Sequence, residues 1–143
     1  MCLHQLNYYK TEILQTRLGQ SINGTCFAKP ILLYVLIDLI EENILKDNKI
    51  KIEKICNIYK SYLQKEKLDY VPVAYPFYYL KNDGYWHLKW KNDIIIQKKT
   101  PSYKFIMDNV EYAYFDELLW KLLQEKSSRD EIKNTLVMLQ NKL

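Results

Sequence analysis

The chain has 143 residues, with 21 Lys or Arg against 17 Asp or Glu, which gives a net charge of +4. This length can bury a core without a disulfide or a structural metal. Three cysteines without C-x-x-C spacing and two histidines argue against a zinc site. The longest apolar run, Ile31–Ile37, is too short to span a bilayer. We therefore expect one domain over residues 1–143 in the cytoplasm, with reduced thiols and with neither cofactor nor metal.

The first half of the chain shows the periodicity of helices. Apolar residues recur at helical spacing in residues 6–18, and Pro30 stands where a first-turn proline belongs before the apolar segment 31–45. Alternation over residues 49–52 predicts a short strand, and residues 53–67 return to helical spacing. We expect the second of these helices to form the centre of the core. Its buried residues should include Ile31, Leu32, Leu36 and Ile40.

The most informative segment surrounds Asp83-Gly84. Aromatic residues are concentrated in segments 75–80 and 85–88 on either side, and this composition favours strands. Asp83-Gly84 supplies the positive φ angles that a short hairpin turn needs. Because Pro76 has no N–H to donate to a sheet, it should open the first strand or lie at an edge, with Tyr75 extended before it. The sequence thus predicts a β-hairpin with an exposed Tyr-Pro corner.

Further elements are expected towards the C-terminus. Residues 93–97 can add a strand, and Asp116 should open a helix over residues 117–124. One serine of the pair Ser127-Ser128 should cap a final helix, with Glu131 as the capping-box partner. The order of helix, short strand, helix and hairpin predicts an α+β fold: a mainly helical, winged-helix-like single domain with a β-hairpin.

Lysines concentrate between residues 77 and 104, whereas residues 105–143 are net acidic. This polarity could attract a phosphate backbone, although an ordinary solvated lysine face explains the charge equally well. The candidate phosphate contacts are Lys81, Lys89, Lys91, Lys98 and Lys99. The thirteen tyrosines could either stack against bases or pack within the core. We favour the core for most of them, with Tyr75 and Tyr79 as the exceptions.

No catalytic centre can be assembled from the sequence. It contains neither a P-loop nor a G-x-G-x-x-G loop, which argues against a nucleotide-dependent enzyme. The acids Asp116-Glu117 could in principle hold a metal, but their place at a helix start is explained by the helix dipole. His87 lies on an expected strand, where a half-buried structural histidine is the simpler interpretation. We therefore expect a protein without enzymatic activity, since a small hydrolase has almost no residue support.

Three segments together resemble a known family. Residues 28–33 (AKPILL) are similar to the HKPLLLL helix start of the sulfur-binding domain of phosphorothioate-dependent restriction endonucleases, which is also the N-terminal domain of many HNH endonuclease-like proteins. Residues 75–88 resemble the YPFxxL…DGxW segment of that domain. Residues 112–129 resemble the YAxLDEELxxLL…R element of its HNH-linked relatives. The resemblance spans residues 6–140 and depends on the order and spacing of all three motifs.

The resemblance implies a domain that reads phosphorothioated double-stranded DNA. An apolar cavity of the family accepts the sulfur atom, which is larger and less hydrated than oxygen, and basic residues hold the neighbouring phosphates. The residues that match this site are Tyr75, Pro76, Tyr79, Phe27, Ala28 and Lys29. Two positions depart from the family pattern. Phe27-Ala28 stands where a histidine or arginine usually precedes the lysine, and Tyr79 replaces a small residue.

The sequence therefore favours a DNA-binding module of a restriction-modification system, with no catalytic centre of its own. No HNH pattern follows the matched region, so we expect any nuclease to be supplied by a partner protein, and we expect no membrane partner. The alternative is a protein-interaction module of a defence or mobile-element system that keeps the fold but does not read DNA. The lysine-rich segment favours DNA, whereas the uncharged Ala28 favours the alternative.

Overall fold

The computed structural model describes residues 3–92 and 101–141. The helices of these residues are α1 (Leu3–Leu14), α2 (Ala28–Glu41), α3 (Cys56–Lys65), α4 (Ala74–Tyr79), α5 (Tyr103–Asn109), α6 (Glu117–Leu122) and α7 (Lys126–Asn141). The strands are β1 (Gln20–Ser21), β2 (Gly24–Thr25), β3 (Trp86–Trp90) and β4 (Val110–Phe115). Short 3-10 turns occupy Ile52–Lys54 and Leu80–Asp83.

Helix α2 forms the centre of the core because it is apolar on almost every side. Helices α3, α4 and α7 pack against it, and α1 packs against α6 and α7. Pro30 lies in the first turn of α2, where the helix does not need its missing N–H. The four residues expected to be buried on this helix are each at most 7% exposed: Ile31, Leu32, Leu36 and Ile40.

Strands β3 and β4 form an antiparallel ribbon, although α5 separates them in the chain. Ile50 extends the ribbon through a bridge to Ala113, at the place where a short strand was expected. Trp86 of β3 faces the core, and its Nε1 donates to the Phe77 carbonyl oxygen of α4 at 2.9 Å. Because side chains alternate along a strand, His87 faces the other side of the ribbon. The predicted α+β, mainly helical fold is confirmed.

The predicted position of the hairpin is wrong. Residues 74–79 form α4 instead of a strand, and Gly84, with φ of 94°, follows the 3-10 turn after that helix. Phe77, Tyr78 and Leu80 are each at most 1% exposed. A strand with one solvated face would have turned one of two consecutive side chains outwards, so burial favours the helix.

The expected exposed Tyr-Pro corner is also wrong in part. Pro76 lies in the first turn of α4, where a proline is tolerated, and it is buried. Tyr75 is helical rather than extended, and 41% of its surface is exposed. The solvent-facing part of the expected corner is therefore the tyrosine.

The C-terminal elements differ from expectation at their ends. Helix α7 begins at Lys126, so Ser127-Ser128 lie inside its first turn and do not cap it. The strand expected over residues 93–97 lies outside the described residues. No helix within residues 3–92 and 101–141 is long and apolar enough to cross a membrane. Over the same residues, no group of three or more potential metal ligands is present.

Candidate nucleic-acid interface

Helix α4 presents two tyrosine rings side by side. Tyr75 and Tyr79 are four residues apart and so lie on one face of the helix, with ring centres separated by 4.7 Å. The Tyr79 ring also meets the Tyr78 ring edge-on at 5.1 Å. Burial raises the pKa of Tyr79, with smaller contributions from Tyr75 and Tyr78. Tyr79 therefore fills space beside Tyr75 that a small residue would leave open.

A buried ion pair joins the start of α2 to the turn after α4. Lys29 Nζ donates to Asp83 Oδ2 at 2.6 Å, and the two side chains are only 8% and 2% exposed. Asp83 Oδ1 accepts the backbone N–H of Arg17 at 3.0 Å, so the same carboxylate also holds the loop after α1. The Lys29 ammonium, which the resemblance placed at the DNA, is thus occupied inside the protein.

The loop after α1 lies against the exposed tyrosine of α4. A Cβ atom on Gly19 would be 3.8 Å from Tyr75 Oη, and the φ of 74° at Gly19 is a conformation that other residues rarely adopt. The Gly19 carbonyl accepts the N–H of Cys26 at 3.1 Å, which places the next residue, Phe27, near the same loop. We call the region formed by Gly19, Tyr75 and Tyr79 the Tyr75 surface.

Arg17 is a basic residue at this surface that the sequence analysis missed. Its backbone is anchored to Asp83, its side chain is exposed, and the structure shows no ion pair to it within the described ranges. Arg17 and Asp83 are 66 residues apart, so no local pattern could connect them. The Arg17 backbone N–H and the Lys29 ammonium bind the same Asp83 carboxylate, so the exposed Arg17 side chain starts from a backbone position close to Lys29.

The predicted pocket residues at the start of α2 face a separate cavity. Phe27 and Ala28 line a cavity of about 410 Å³ between the start of α2 and the end of α3. Tyr75, Pro76 and Tyr79 are not among the residues that line it. This cavity therefore does not join the two groups of residues that the resemblance assigns to one sulfur pocket.

The predicted phosphate-contacting lysines occupy different places. Lys81 lies directly after α4, with its Nζ 4.8 Å from the centre of the Tyr78 ring. Lys89 is exposed on β3, and Lys91 Nζ donates to the Met107 carbonyl oxygen at 2.6 Å. Lys98 and Lys99 lie outside the described residues. Lys81 is thus beside the Tyr75 surface, whereas Lys89 belongs to the ribbon.

The fold and the site define a small α+β domain with an apolar central helix and an exposed aromatic surface flanked by cations. Among solved structures, the sulfur-binding domain of ScoMcrA complexed with phosphorothioated DNA matches with a TM-score of 0.72 and 15% identity, covering 90% of this chain and 84% of that chain. The structure of the sulfur-binding and SRA domains of ScoMcrA with phosphorothioated DNA gives a TM-score of 0.71 and 14% identity, covering 92% and 41%. A scan of protein-family models and a search of curated proteins found no match. The chain therefore has the fold of the sulfur-binding domain.

Proposed function

We propose that this chain is a DNA-binding module that recognises a phosphorothioate linkage in double-stranded DNA, and that any cleavage is performed by a partner nuclease. The observation that carries the proposal is the exposed Tyr75 ring, flanked by cations, in a fold whose solved counterpart is complexed with phosphorothioated DNA. A ring face without charge favours contact with a large, weakly hydrated sulfur over contact with a hydrated oxygen.

Each residue of the site has a distinct role in this proposal. Tyr75 provides the ring against which the sulfur lies, and the Tyr79 ring packs beside it. Arg17 and Lys81 hold the phosphates on either side of the linkage. Lys29 does not touch DNA, since its ammonium is bound to Asp83 and serves to fix α2, α4 and the loop after α1.

Sulfur selectivity is the direct test. Burying one atom of this size against apolar groups is worth about 1–2 kcal/mol. The protein should therefore bind a duplex with one phosphorothioate about five-fold to thirty-fold more tightly than the unmodified duplex. Because Tyr79 fills the space beside Tyr75, Tyr79→Ala should increase this ratio. The measurement is a fluorescence competition assay with the two duplexes, using Tyr70→Ala as a control at an exposed tyrosine outside the Tyr75 surface.

Equal affinity for the two duplexes, in both the parent protein and Tyr79→Ala, would refute sulfur recognition. It would leave the similarity of fold untouched, because that similarity does not depend on the ligand. The same increase of the ratio in Tyr70→Ala would show that the effect does not come from the Tyr75 surface.

Phosphate contacts predict a dependence on salt. Each phosphate neutralised by a lysine or arginine contributes about −0.9 to the slope of log affinity against log salt concentration. Replacing both Arg17 and Lys81 with alanine should make the slope shallower by about twice this amount. Lys126→Ala serves as the control, because this lysine on α7 pairs with Asp130 at 3.0 Å. Binding that is insensitive to salt would contradict the proposed phosphate contacts.

The second candidate is a protein-interaction module of a defence or mobile-element system. The buried Lys29–Asp83 pair favours it, because it withdraws from the surface an ammonium that the family resemblance assigns to DNA. Absence of any duplex binding at low salt, from a protein that unfolds cooperatively, would select this candidate.

A further inference from the structure

A second cavity, of about 320 Å³, lies where α1 meets the end of the β3–β4 ribbon and the start of α6. His87 and Tyr114 are cross-strand partners on its wall, with ring centres 5.2 Å apart. Trp86 points from β3 towards α4, and the next residue, His87, points the other way. The cavity therefore opens on the opposite face of the ribbon from α4. Its lining residues are Tyr9, His87, Tyr114, Asp116, Glu117 and Leu118.

The carboxylate of Asp116 organises this cavity. Asp116 is the N-cap residue of α6, but its side chain makes no capping hydrogen bond. Instead, Oδ2 accepts the hydroxyl of Tyr9 at 2.9 Å, and Oδ1 is hydrogen-bonded to His87 Nε2. Burial and the hydrogen bond to Asp116 raise the pKa of Tyr9, so its hydroxyl keeps the proton that it donates. The carboxylate that would ordinarily cap the helix is thus turned towards the cavity residues and holds the His87 ring in place.

Two carboxylates, those of Asp116 and Glu117, line the cavity. Glu117 is exposed at its edge, and its side chain has no ion pair or hydrogen bond within residues 3–92 and 101–141. Glu12 on α1 lies close to Tyr8, the neighbour of Tyr9. A hydrogen bond to the Glu12 carboxylate raises the pKa of Tyr8. The nearest lysine along α1, Lys10, is occupied by Glu131 at 2.8 Å. The helix dipole favours an acid in the first turn of any helix, so Glu117 alone does not indicate a ligand-binding site. It supports one because it lies beside the His87 and Tyr114 rings.

We propose that this cavity binds an arginine side chain presented by a partner protein. A planar guanidinium can lie over the His87 and Tyr114 rings while its N–H groups reach the free Glu117 carboxylate. A carboxylate also accepts more than one hydrogen bond per oxygen, so Asp116 keeps capacity beyond Tyr9 and His87. The exposed Tyr8 and Leu118, at 57% and 44%, form an apolar border for the rest of such a partner. The phosphates of DNA would be repelled by the same carboxylates.

The proposal does not depend on DNA recognition at the Tyr75 surface. It divides the two tasks between the faces of the ribbon: nucleic acid on the side of α4, and a basic protein segment on the side of α6.

The probe is the blocked tripeptide acetyl-Gly-Arg-Gly-amide, titrated into the isotope-labelled full chain and followed by NMR. Saturable shifts of the Tyr114 amide and the His87 ring signals are expected. The citrulline tripeptide, which keeps the shape without the charge, should bind about tenfold more weakly, as expected for the loss of a cation–π contact and an ion pair. Glu117→Gln should weaken the arginine tripeptide several-fold. Glu111→Gln, the same change at an exposed acid of β4 outside the cavity, should have no effect.

Several outcomes would overturn the proposal. These are equal binding of the citrulline tripeptide, shifts that map to another surface, or equal losses in Glu117→Gln and Glu111→Gln. Shifts of the same His87 and Tyr114 signals on adding unmodified duplex DNA would assign the cavity to nucleic acid instead. Both glutamine variants retain the hydrogen bonds of Asp116, and thermal unfolding of each confirms that the fold is intact.

Discussion

Replacing Lys29 with methionine is expected to lower the free energy of unfolding by about 3–5 kcal/mol, because it leaves the Asp83 carboxylate buried without its partner. The pair is 2.6 Å apart and nearly inaccessible to solvent, so water cannot replace the lost ammonium. Asp83→Asn should have an effect of similar size, since it leaves the ammonium unpaired. Urea unfolding followed by tryptophan fluorescence measures both.

Two controls separate this effect from an ordinary loss of charge. Lys104→Met removes an exposed pair, whose lysine side chain is 83% accessible, and should change stability by less than about 1 kcal/mol. The double variant Lys29→Met with Asp83→Asn should be more stable than the sum of the single changes indicates, because no uncompensated charge remains. If Lys29→Met leaves stability unchanged but abolishes binding to DNA, Lys29 is a contact residue, and its assignment to positioning is wrong.

Replacing Leu36 with alanine is expected to cost about 2–5 kcal/mol of stability, because it opens a cavity in the middle of the core. Leu36 is completely buried on α2, the helix around which α3, α4 and α7 pack. The size of the loss depends on how far these neighbours can close the gap. The midpoint of urea unfolding should fall while its slope stays constant, which identifies a change in stability alone.

Val137→Ala is the matched control for the core variant. Val137 lies on α7 and is 42% exposed, so its truncation should cost about 0.5 kcal/mol or less. Comparable losses in the two variants would mean that α2 is not the centre of the core.

Composition and periodicity were sufficient to predict much of the fold. The apolar segment after Pro30 became α2 because a helix that is hydrophobic all round must be buried, whatever surrounds it. The same reasoning failed at residues 75–80. Aromatic residues suit strands and buried helices equally well, and proline opens both elements. Burial of the consecutive residues Phe77 and Tyr78 decided between the two, and burial depends on the packing of α4 against α2.

The candidate sites depend on contacts between distant parts of the chain. The motif resemblance led to Tyr75, which is exposed, but it also included Lys29, whose ammonium is occupied by Asp83. The link from Arg17 to Asp83 gave no signal in the sequence. Likewise, the sequence explained Asp116 as an acid at a helix start and His87 as a half-buried histidine. The fold brings the two residues together as hydrogen-bonded neighbours that line one cavity.

The sequence by itself determined the α+β class, the central helix and the resemblance to the sulfur-binding domain, because these depend on local order, spacing and periodicity. Only the tertiary structure decided that segment 75–80 is helical, that Pro76 is buried and that Lys29 points inwards. It alone also joined Tyr9 to Asp116, which are 107 residues apart. The physical reason is that hydrophobic periodicity is a property of neighbouring residues, whereas burial and ion pairing are decided by whichever distant elements pack against them.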